Sequence, residues 1–181
     1  SADSVTSSLK TIHQAANTFI GSGVVKSFIK ATEAAYGFSQ AMADISAISD
    51  VNIKHLSSSI AKLDNVYGKM SHVGDTIYEM ISSGIRGTEA DYVHAVKSIG
   101  QASVSIKADL YDTANTVTTL LNAYNLSVKD IDKISDMLFV TVREGKAHGN
   151  ELAKTLGLVT NTAAEAGVSF SELSAAISIL S

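Results

Sequence analysis

The sequence predicts an all-α fold, a bundle of eight or nine amphipathic helices joined by short turns of Gly, Ser and Asn. Three observations indicate this. The 181 residues contain no proline, although about nine would be expected at a usage of about 5%, so the commonest helix breaker is missing. Apolar residues recur at spacings of three and four along most of the chain. Alternation of apolar and polar residues over strand lengths is hard to find.

The chain is expected to have two parts. Residues 1–37 form an N-terminal helical segment, in which Gly21 to Gly23 separates an amphipathic stretch from a helix that begins near Val24. Gly37 with Ser39 predicts a bend at the end of this segment. The remainder, residues 38–181, is expected to form the main helical domain.

Three apolar stripes predict helices within residues 38–181. They are Leu56, Ile60, Leu63 and Tyr67; Leu110, Ala114, Val117, Leu121 and Tyr124; and Leu152, Leu156, Val159, Ala163 and Ala166. Steps of three and four place each stripe on one helix face. The run Met137 to Val142 is apolar around nearly the whole helix circumference, which predicts a centrally buried helix, with a short strand as the alternative.

Caps and turns divide the helices. A hydroxyl followed three residues later by an acid predicts a helix start at Thr88 with Asp91, at Ser127 with Asp130 and at Ser169 with Glu172. Asn150 is expected to cap the helix that follows the polar turn between Gly145 and Gly149. Further turns are predicted at residues 50–52, 68–74 and 84–88. The helix from Ser169 has no stop signal, so the domain is expected to be truncated at its C-terminus.

Composition limits the classes of function. Charged residues make up 18% of the chain, below the about 25% of an ordinary soluble domain, which predicts a weakly charged surface that contacts other protein. Lys and Arg are scattered singly in a chain of net charge -4, so nucleic-acid recognition is not expected. No run is apolar enough for a membrane span. The absence of cysteine excludes disulfides and thiolate metal sites.

Histidines and aspartates offer weak candidates for a metal site. The histidines at 13, 55, 72, 94 and 148 include no pair at the four-residue spacing of a helical zinc site. His94 lies near Glu89 and Asp91, which suggests a metal, but acids that suit the dipole of a helix N-terminus are the simpler interpretation. The acids Asp130, Asp132 and Asp136 lack the glycine and closing Glu of a calcium-binding loop and are typical of a solvated face.

The residues that could be catalytic do not form a recognisable active-site pattern either. A glycosidase would need a pair of carboxylic acids, and the candidates are Glu144, Glu151, Glu165 and Glu172. Only their residue type supports this role, because a chain without Trp has few aromatic side chains to line a sugar-binding cleft. Gly145-Lys146 lacks the pattern of a phosphate loop and is interpreted as a turn. We therefore expect no catalytic, cofactor-binding or metal-binding residue, and no enzyme. Most apolar stripes are assigned to the core, with oligomerisation through one of them left open.

Four motifs follow one another between residues 95 and 180. They are Asp109-Leu110 at the start of a helix, the turn Asn122 to Ser127, the segment Glu151-Leu152-Ala153, and the helix Gly167 to Leu180. In this order and spacing they resemble the core domain of phage tail tape measure proteins, and residues 38–63 resemble the family's entry helices more loosely. The sequence departs at Asn161, where the family often has proline, and at Tyr124-Asn125, where it often has Phe-Gly.

The resemblance implies a structural role. A tape measure protein is a long, mainly helical chain around which tail tube subunits assemble, so its length sets tail length, and it leaves the tube ahead of the DNA at infection. A helix advances about 1.5 Å per residue, so the number of residues can set the length of the tail without any catalytic activity. The resemblance implies a folded domain in the virion tail, and in the host bacterial cytoplasm during assembly. Its partners would be tail tube and tail assembly proteins, with a homo-oligomer as one option.

Two other classes stay open. The first is a helical protein-binding or adaptor module without catalytic activity, which would hold a partner helix in an amphipathic groove. The second is an enzyme domain, which would need acids or histidines converging in a cleft.

Overall fold

The computed structural model describes residues 10–11, 14, 23–63, 70–145 and 149–180. Within them the chain forms eight α-helices and one 3₁₀ turn, and no strand. The helices are α1 (Gly23–Ile48), α2 (Ile53–Ile60), α3 (Met70–Ser82), α4 (Glu89–Ile106), α5 (Leu110–Ala123), α6 (Ile131–Gly145), α7 (Gly149–Glu165) and α8 (Phe170–Leu180), with the 3₁₀ turn at Val128–Asp130. The predicted all-α, multi-helix fold is confirmed.

Contacts divide the chain into two compact units, Ser1–Gly37 and Phe38–Ser181. Helix α1 begins in the first and continues into the second without interruption. The bend predicted at Gly37 and Ser39 is therefore wrong, because a single glycine costs a helix only about 1 kcal/mol and the flanking residues sustain it.

In the second unit, helices pack mainly against the helix two places along the chain. One row runs through α2, α4, α6 and α8, and another through α3, α5 and α7. Chain neighbours, above all α4 with α5, connect the two rows. Helices in the middle of a row are thus covered on two sides by their own row and on a third by the other row.

The core lies between these rows. Its largest fully buried side chains are Ile45, Leu56, Ile60, Ile77, Met80, Ile99, Leu120, Leu121, Ile131, Ile134, Leu138 and Leu156. Each such Leu or Ile contributes about 1.5–3 kcal/mol through its removal from water. The predicted stripe from Leu110 to Leu121 is buried throughout, and Leu63 packs against the core just beyond α2. Tyr67 lies outside the described residues.

The apolar run Met137 to Val142 is helical, as part of α6. Its predicted central burial is wrong at Val140, which is 43% exposed. Helix α6 buries one face, through Ile134, Leu138 and Thr141, while α4 and α8 flank it within its row. An apolar circumference predicts a helix, but the number of neighbouring helices decides how much of it is covered.

One type of turn recurs between helices. The first or second residue after the helix adopts a left-handed conformation, at Gly84 (φ 88°), Lys107 (φ 55°), Asn125 (φ 51°) and Gly167 (φ 77°). The apolar residue that follows then donates its amide back to the last helical turn, as Leu126 does to the Leu121 carbonyl at 2.7 Å and Val168 to Ala163 at 2.9 Å. Asn125 thus stands where the resembling family often has glycine, and asparagine tolerates the same conformation.

The three predicted capping boxes are confirmed. The amides of Thr88, Ser127 and Ser169 donate to Asp91, Asp130 and Glu172 at 2.8, 2.9 and 2.9 Å. These bonds satisfy donors that a helix start would otherwise leave unpaired. The turns predicted at residues 50–52 and 84–88 are confirmed as well.

Two glycines belong to helices where the sequence indicated turns. Gly74 lies inside α3, where a Cβ atom would come within 2.6 Å of the Ala41 Cβ atom, so the turn predicted there is wrong and the glycine serves close packing. At Gly149 a Cβ atom would come within 2.0 Å of the Ile106 carbonyl oxygen. Only glycine lets the start of α7 approach the end of α4 this closely.

The predicted cap at Asn150 is also wrong. Asn150 is the second residue of α7, and its Oδ1 atom accepts the amide of Asp109 at 2.9 Å. It therefore ties α7 to the start of α5 and does not cap its own helix. Gly145 ends α6, and residues 146–148 lie outside the described residues.

A candidate interaction surface between α6 and α8

The residues that suggested a metal site do not converge on one. His94 Nε2 lies 2.8 Å from Asp132 Oδ2 on α6, and this contact joins neighbours in one row. Glu89 Oε1 accepts the amide of Asn52 at 3.0 Å, and Asp91 caps α4. Within the described ranges, no group of three or more His, Asp or Glu side chains is arranged to hold a metal ion.

Hydrogen bonds explain the electrostatics of these acids. The amide of Asn52 lowers the pKa of Glu89, and the amide of Thr88 lowers the pKa of Asp91. A hydrogen bond from His94 is the main cause of the lowered pKa of Asp132, followed by one from Ser98. Each carboxylate is thus stabilised in its charged form by a partner that also fixes a helix start or a helix contact.

The remaining acids lie apart. Asp130 caps the 3₁₀ turn, and Asp136 stands exposed on α6. Among the four glutamates, Glu172 caps α8 and Glu144 pairs with Arg143 at 2.8 Å. The other two, Glu151 and Glu165, are exposed at opposite ends of α7.

A polar cavity of about 620 Å³ lies where the end of α1 meets the start of α4. Three of the residues that line it make hydrogen bonds: Thr88 and Glu89 make the bonds described above, and the Tyr92 hydroxyl donates to the Ile85 carbonyl at 3.0 Å. Burial raises the pKa of Tyr92. The bonds of Thr88, Glu89 and Tyr92 hold in place the chain segments that form the wall of this cavity.

An apolar groove of about 510 Å³ runs between α6 and α8. We call it the α6–α8 groove; its lining includes Met137, Val140, Ser174, Ala175, Ser178 and Ile179. Asp136 and Glu144 also line it, both on α6. Ser174 is 9% exposed, and its Oγ atom is buried without a hydrogen-bond partner among the described residues.

Two apolar side chains of the last two helices are almost fully exposed. Leu158 on α7 is 81% exposed and Ile179 on α8 is 84% exposed, the two highest values among the large apolar side chains described. Val159 and Val168 are each 37% exposed. Large exposed apolar side chains are typical of surfaces that contact other protein.

Comparison with known proteins identifies the family. The sequence profile of the family described as "Phage-related minor tail protein" matches residues 67–181, more than half of the chain. The chain belongs to this family. The matched range includes α3 to α8, and hence the α6–α8 groove and both of the most exposed apolar side chains.

A probable tape measure protein of Clostridium phage phiCD119 is 30% identical over 168 residues, covering 87% of this chain. The match covers 17% of the phage protein, so the chain spans about a sixth of that relative's length. No solved structure matches the chain. The resemblance to the tape measure family is confirmed, and membership of this minor tail protein family supports a structural role in a phage tail. None of the described helices is long and apolar enough to cross a membrane.

Sequence reasoning missed the contacts that join separate elements. Nothing in the chain indicates that His94 meets Asp132, or that Asn52 meets Glu89, because each pair is more than thirty residues apart. The α6–α8 groove left a clearer signal. Small residues recur at spacings of three and four in α8, at Ser171, Ser174, Ala175 and Ser178, which predicts a helix face that another helix can approach closely.

Proposed function

We propose that this chain is a structural helical domain of a tail tape measure protein, taking part in tail assembly and tail-length determination through protein–protein contacts. The observation that carries the proposal is the family match over residues 67–181. The tape measure relative supports the finer part, because its similarity extends over 87% of this chain.

The domain is a folded element of the ruler and not its counting rod. A rod that counts residues would advance about 1.5 Å per residue along one axis. Helices α2 to α8 instead fold back on one another in two rows, so they add little length per residue. Residues 38–181 act as this core-like domain, and residues 1–37 are a separate helical segment.

Its partners are tail tube and tail assembly proteins, in the host bacterial cytoplasm during assembly and afterwards in the tail of the virion. The apolar α6–α8 groove, with Ile179 84% exposed in its lining, supports contacts with protein. The role is not enzymatic, which fits acids that are engaged in caps and pairs, as in the three capping boxes. Recognition of nucleic acid is no part of the role, in keeping with a net charge of -4.

A helical adaptor without catalytic activity is the second candidate. The α6–α8 groove favours it, because an apolar groove between two helices suits a partner helix. The two candidates differ in whether tail length depends on this domain.

Electron microscopy of tails tests the proposal. Particles that carry the intact gene are compared with particles that carry an in-frame deletion of residues 95–180, with the level of the shortened protein checked by immunoblot. We expect no tails, or tails of altered or uncontrolled length. Tails of normal length and infectivity, with the shortened protein present, would show that this domain has no part in the ruler.

A further inference from the structure

We propose that the α6–α8 groove binds an amphipathic helix of another protein, whose apolar stripe is flanked by two Lys or Arg side chains about two turns apart. The inference rests on the proposed function, since it gives the chemistry of one partner in the tail-assembly contacts. It is nevertheless tested with purified protein alone.

The shape of the groove suits a helix. On α8 its wall consists of small side chains, Ser171, Ser174, Ala175 and Ser178, which permit close approach of a neighbouring helix. From Ser171 to Ile179 the wall extends about 12 Å, or slightly more than two helical turns. A groove of these dimensions holds two turns of a partner helix with one or two anchoring side chains.

Apolar side chains are available for such anchors. Ile179 is 84% exposed and Val140 is 43% exposed, one on each helix that lines the groove. A protein that leaves an Ile side chain almost fully in water gains free energy when a partner covers it. An occupant seated between the two helices would contact both side chains.

Charge identifies the occupant more closely. The charged residues that line the groove are Asp136 and Glu144, both acidic and eight residues apart on α6, or about 12 Å along the helix. Asp136 has no ion pair with the described residues. Glu144 is paired with Arg143, which also lies over the Phe139 ring at 5.5 Å. A basic residue of the occupant opposite Asp136 would meet an unpaired acid, and a second one two turns away would share Glu144 with Arg143.

A second copy of α8 does not meet this requirement. The sequence of α8, Phe170–Leu180, contains Glu172 and no basic residue. Two copies of this surface would bring acids together, and like charges disfavour an association. A second copy of α8 is therefore disfavoured as the occupant, and the proposal takes the complementary helix from a different protein.

Fluorescence anisotropy tests the groove with two labelled helical peptides that share one apolar stripe. One carries Lys at both flanking positions and the other carries Glu. We expect the Lys peptide to bind the full chain about tenfold more tightly at low salt, with a difference that shrinks as salt is added. Replacing Asp136 with Asn (D136N) should reduce the preference for Lys.

Two apolar substitutions form a matched pair. Ile179→Ser removes an anchor that is 84% exposed, so folding should survive while the Lys peptide binds about fivefold more weakly or worse. Leu158→Ser removes a side chain of similar exposure, 81%, from α7, whose residues do not line the groove. It should leave peptide binding unchanged.

Three results would overturn the inference: no binding of the Lys peptide, equal binding of both peptides, or equal losses from Ile179→Ser and Leu158→Ser. A dimer in sedimentation velocity that Ile179→Ser dissociates would also overturn it, since the occupant would then be a second copy. If the deletion of residues 95–180 alters the tails but the groove binds neither peptide, this inference is refuted and the proposed function stands. If the groove binds the Lys peptide but the tails are normal after the deletion, the proposed function is refuted and the binding property of the groove stands.

Discussion

Helices α5 and α7 carry the same kind of apolar stripe but differ in how much of it is covered. The α5 stripe is buried from Leu110 to Leu121. In α7 the first half, Leu152 and Leu156, is buried, whereas Val159 is 37% exposed. Helix α5 lies between α3 and α7 in its row, while α7 has only α5 beside it in the described part of that row. Periodicity therefore specifies an apolar face, and neighbouring helices determine how far it is covered.

The largest test concerns two glycines of α7 itself. Gly149 lies at the covered end, against the Ile106 carbonyl oxygen, whereas a Cβ atom at Gly157 would meet nothing within 4 Å. We expect Gly149→Ala to lower the free energy of unfolding by about 4 kcal/mol, because the backbone must move to relieve the clash. Gly157→Ala should raise it by about 0.5–1 kcal/mol through helix propensity.

Urea denaturation of the two variants measures both changes. Both variants replace Gly with Ala. A loss of stability at one site and a gain at the other therefore separate the effect of the close backbone contact from that of helix propensity. If Gly149→Ala were as stable as the parent, the close approach of α7 to α4 would be wrong, and with it the position of the start of α7 relative to the other row.

A second pair compares leucines of the two helices. Leu121 in α5 is fully buried, at 0% exposure, and Leu158 in α7 is 81% exposed. Leu121→Ala should cost about 3 kcal/mol of stability by removing buried atoms and leaving a cavity. Leu158→Ala should change stability by less than about 0.5 kcal/mol. Thermal unfolding followed by circular dichroism checks both, and a comparable loss from the two substitutions would mean that α7 is covered on its far side.

The comparison of α5 with α7 also shows which features of the structure the sequence alone could predict. Spacing and caps specify local structure, and they predicted the helix class, the α5 stripe and three helix starts. The predictions for Gly37, Gly74 and Asn150 were wrong because they depend on neighbouring parts of the structure. Gly37 lies inside a continuous helix, and Gly74 packs closely against the Ala41 side chain. Asn150 accepts the amide of Asp109. The small residues of α8 indicated a face for close helix packing, but not that α6 would form the other wall of the groove, since that depends on how α8 packs.

A third test compares the turns that follow α5 and α7. Asn125 and Gly167 hold equivalent left-handed positions, at φ 51° and 77°. Asn125→Gly should stabilise the protein by a few tenths of a kcal/mol, and Gly167→Ala should destabilise it by about 1 kcal/mol, because a Cβ atom disfavours this conformation. Chemical denaturation measures both. A stabilising Gly167→Ala would show that the α7–α8 turn does not have the conformation of the α5–α6 turn.

The smallest effect is the pH dependence of the caps that follow these turns. Hydrogen bonds from Ser127 lower the pKa of Asp130, and hydrogen bonds from Ser169 lower the pKa of Glu172. A carboxyl whose pKa is lower in the folded state stabilises the fold above its unfolded pKa, and that contribution is lost as pH falls through the folded value. Both caps therefore contribute fully at neutral pH, and each contribution is lost as pH falls below the ordinary values of 3.8 for Asp130 and 4.5 for Glu172.

The amide chemical shifts of Ser127 and Ser169, followed by NMR between neutral and acid pH, report the two caps separately. Glu172→Gln should abolish the acid shift at Ser169 and leave that at Ser127 unchanged, and Asp130→Asn should do the opposite. Because both carboxyls are exposed, salt should weaken both effects alike. If Glu172→Gln left the acid shift at Ser169 unchanged, the start of α8 would be held by a group other than this carboxylate.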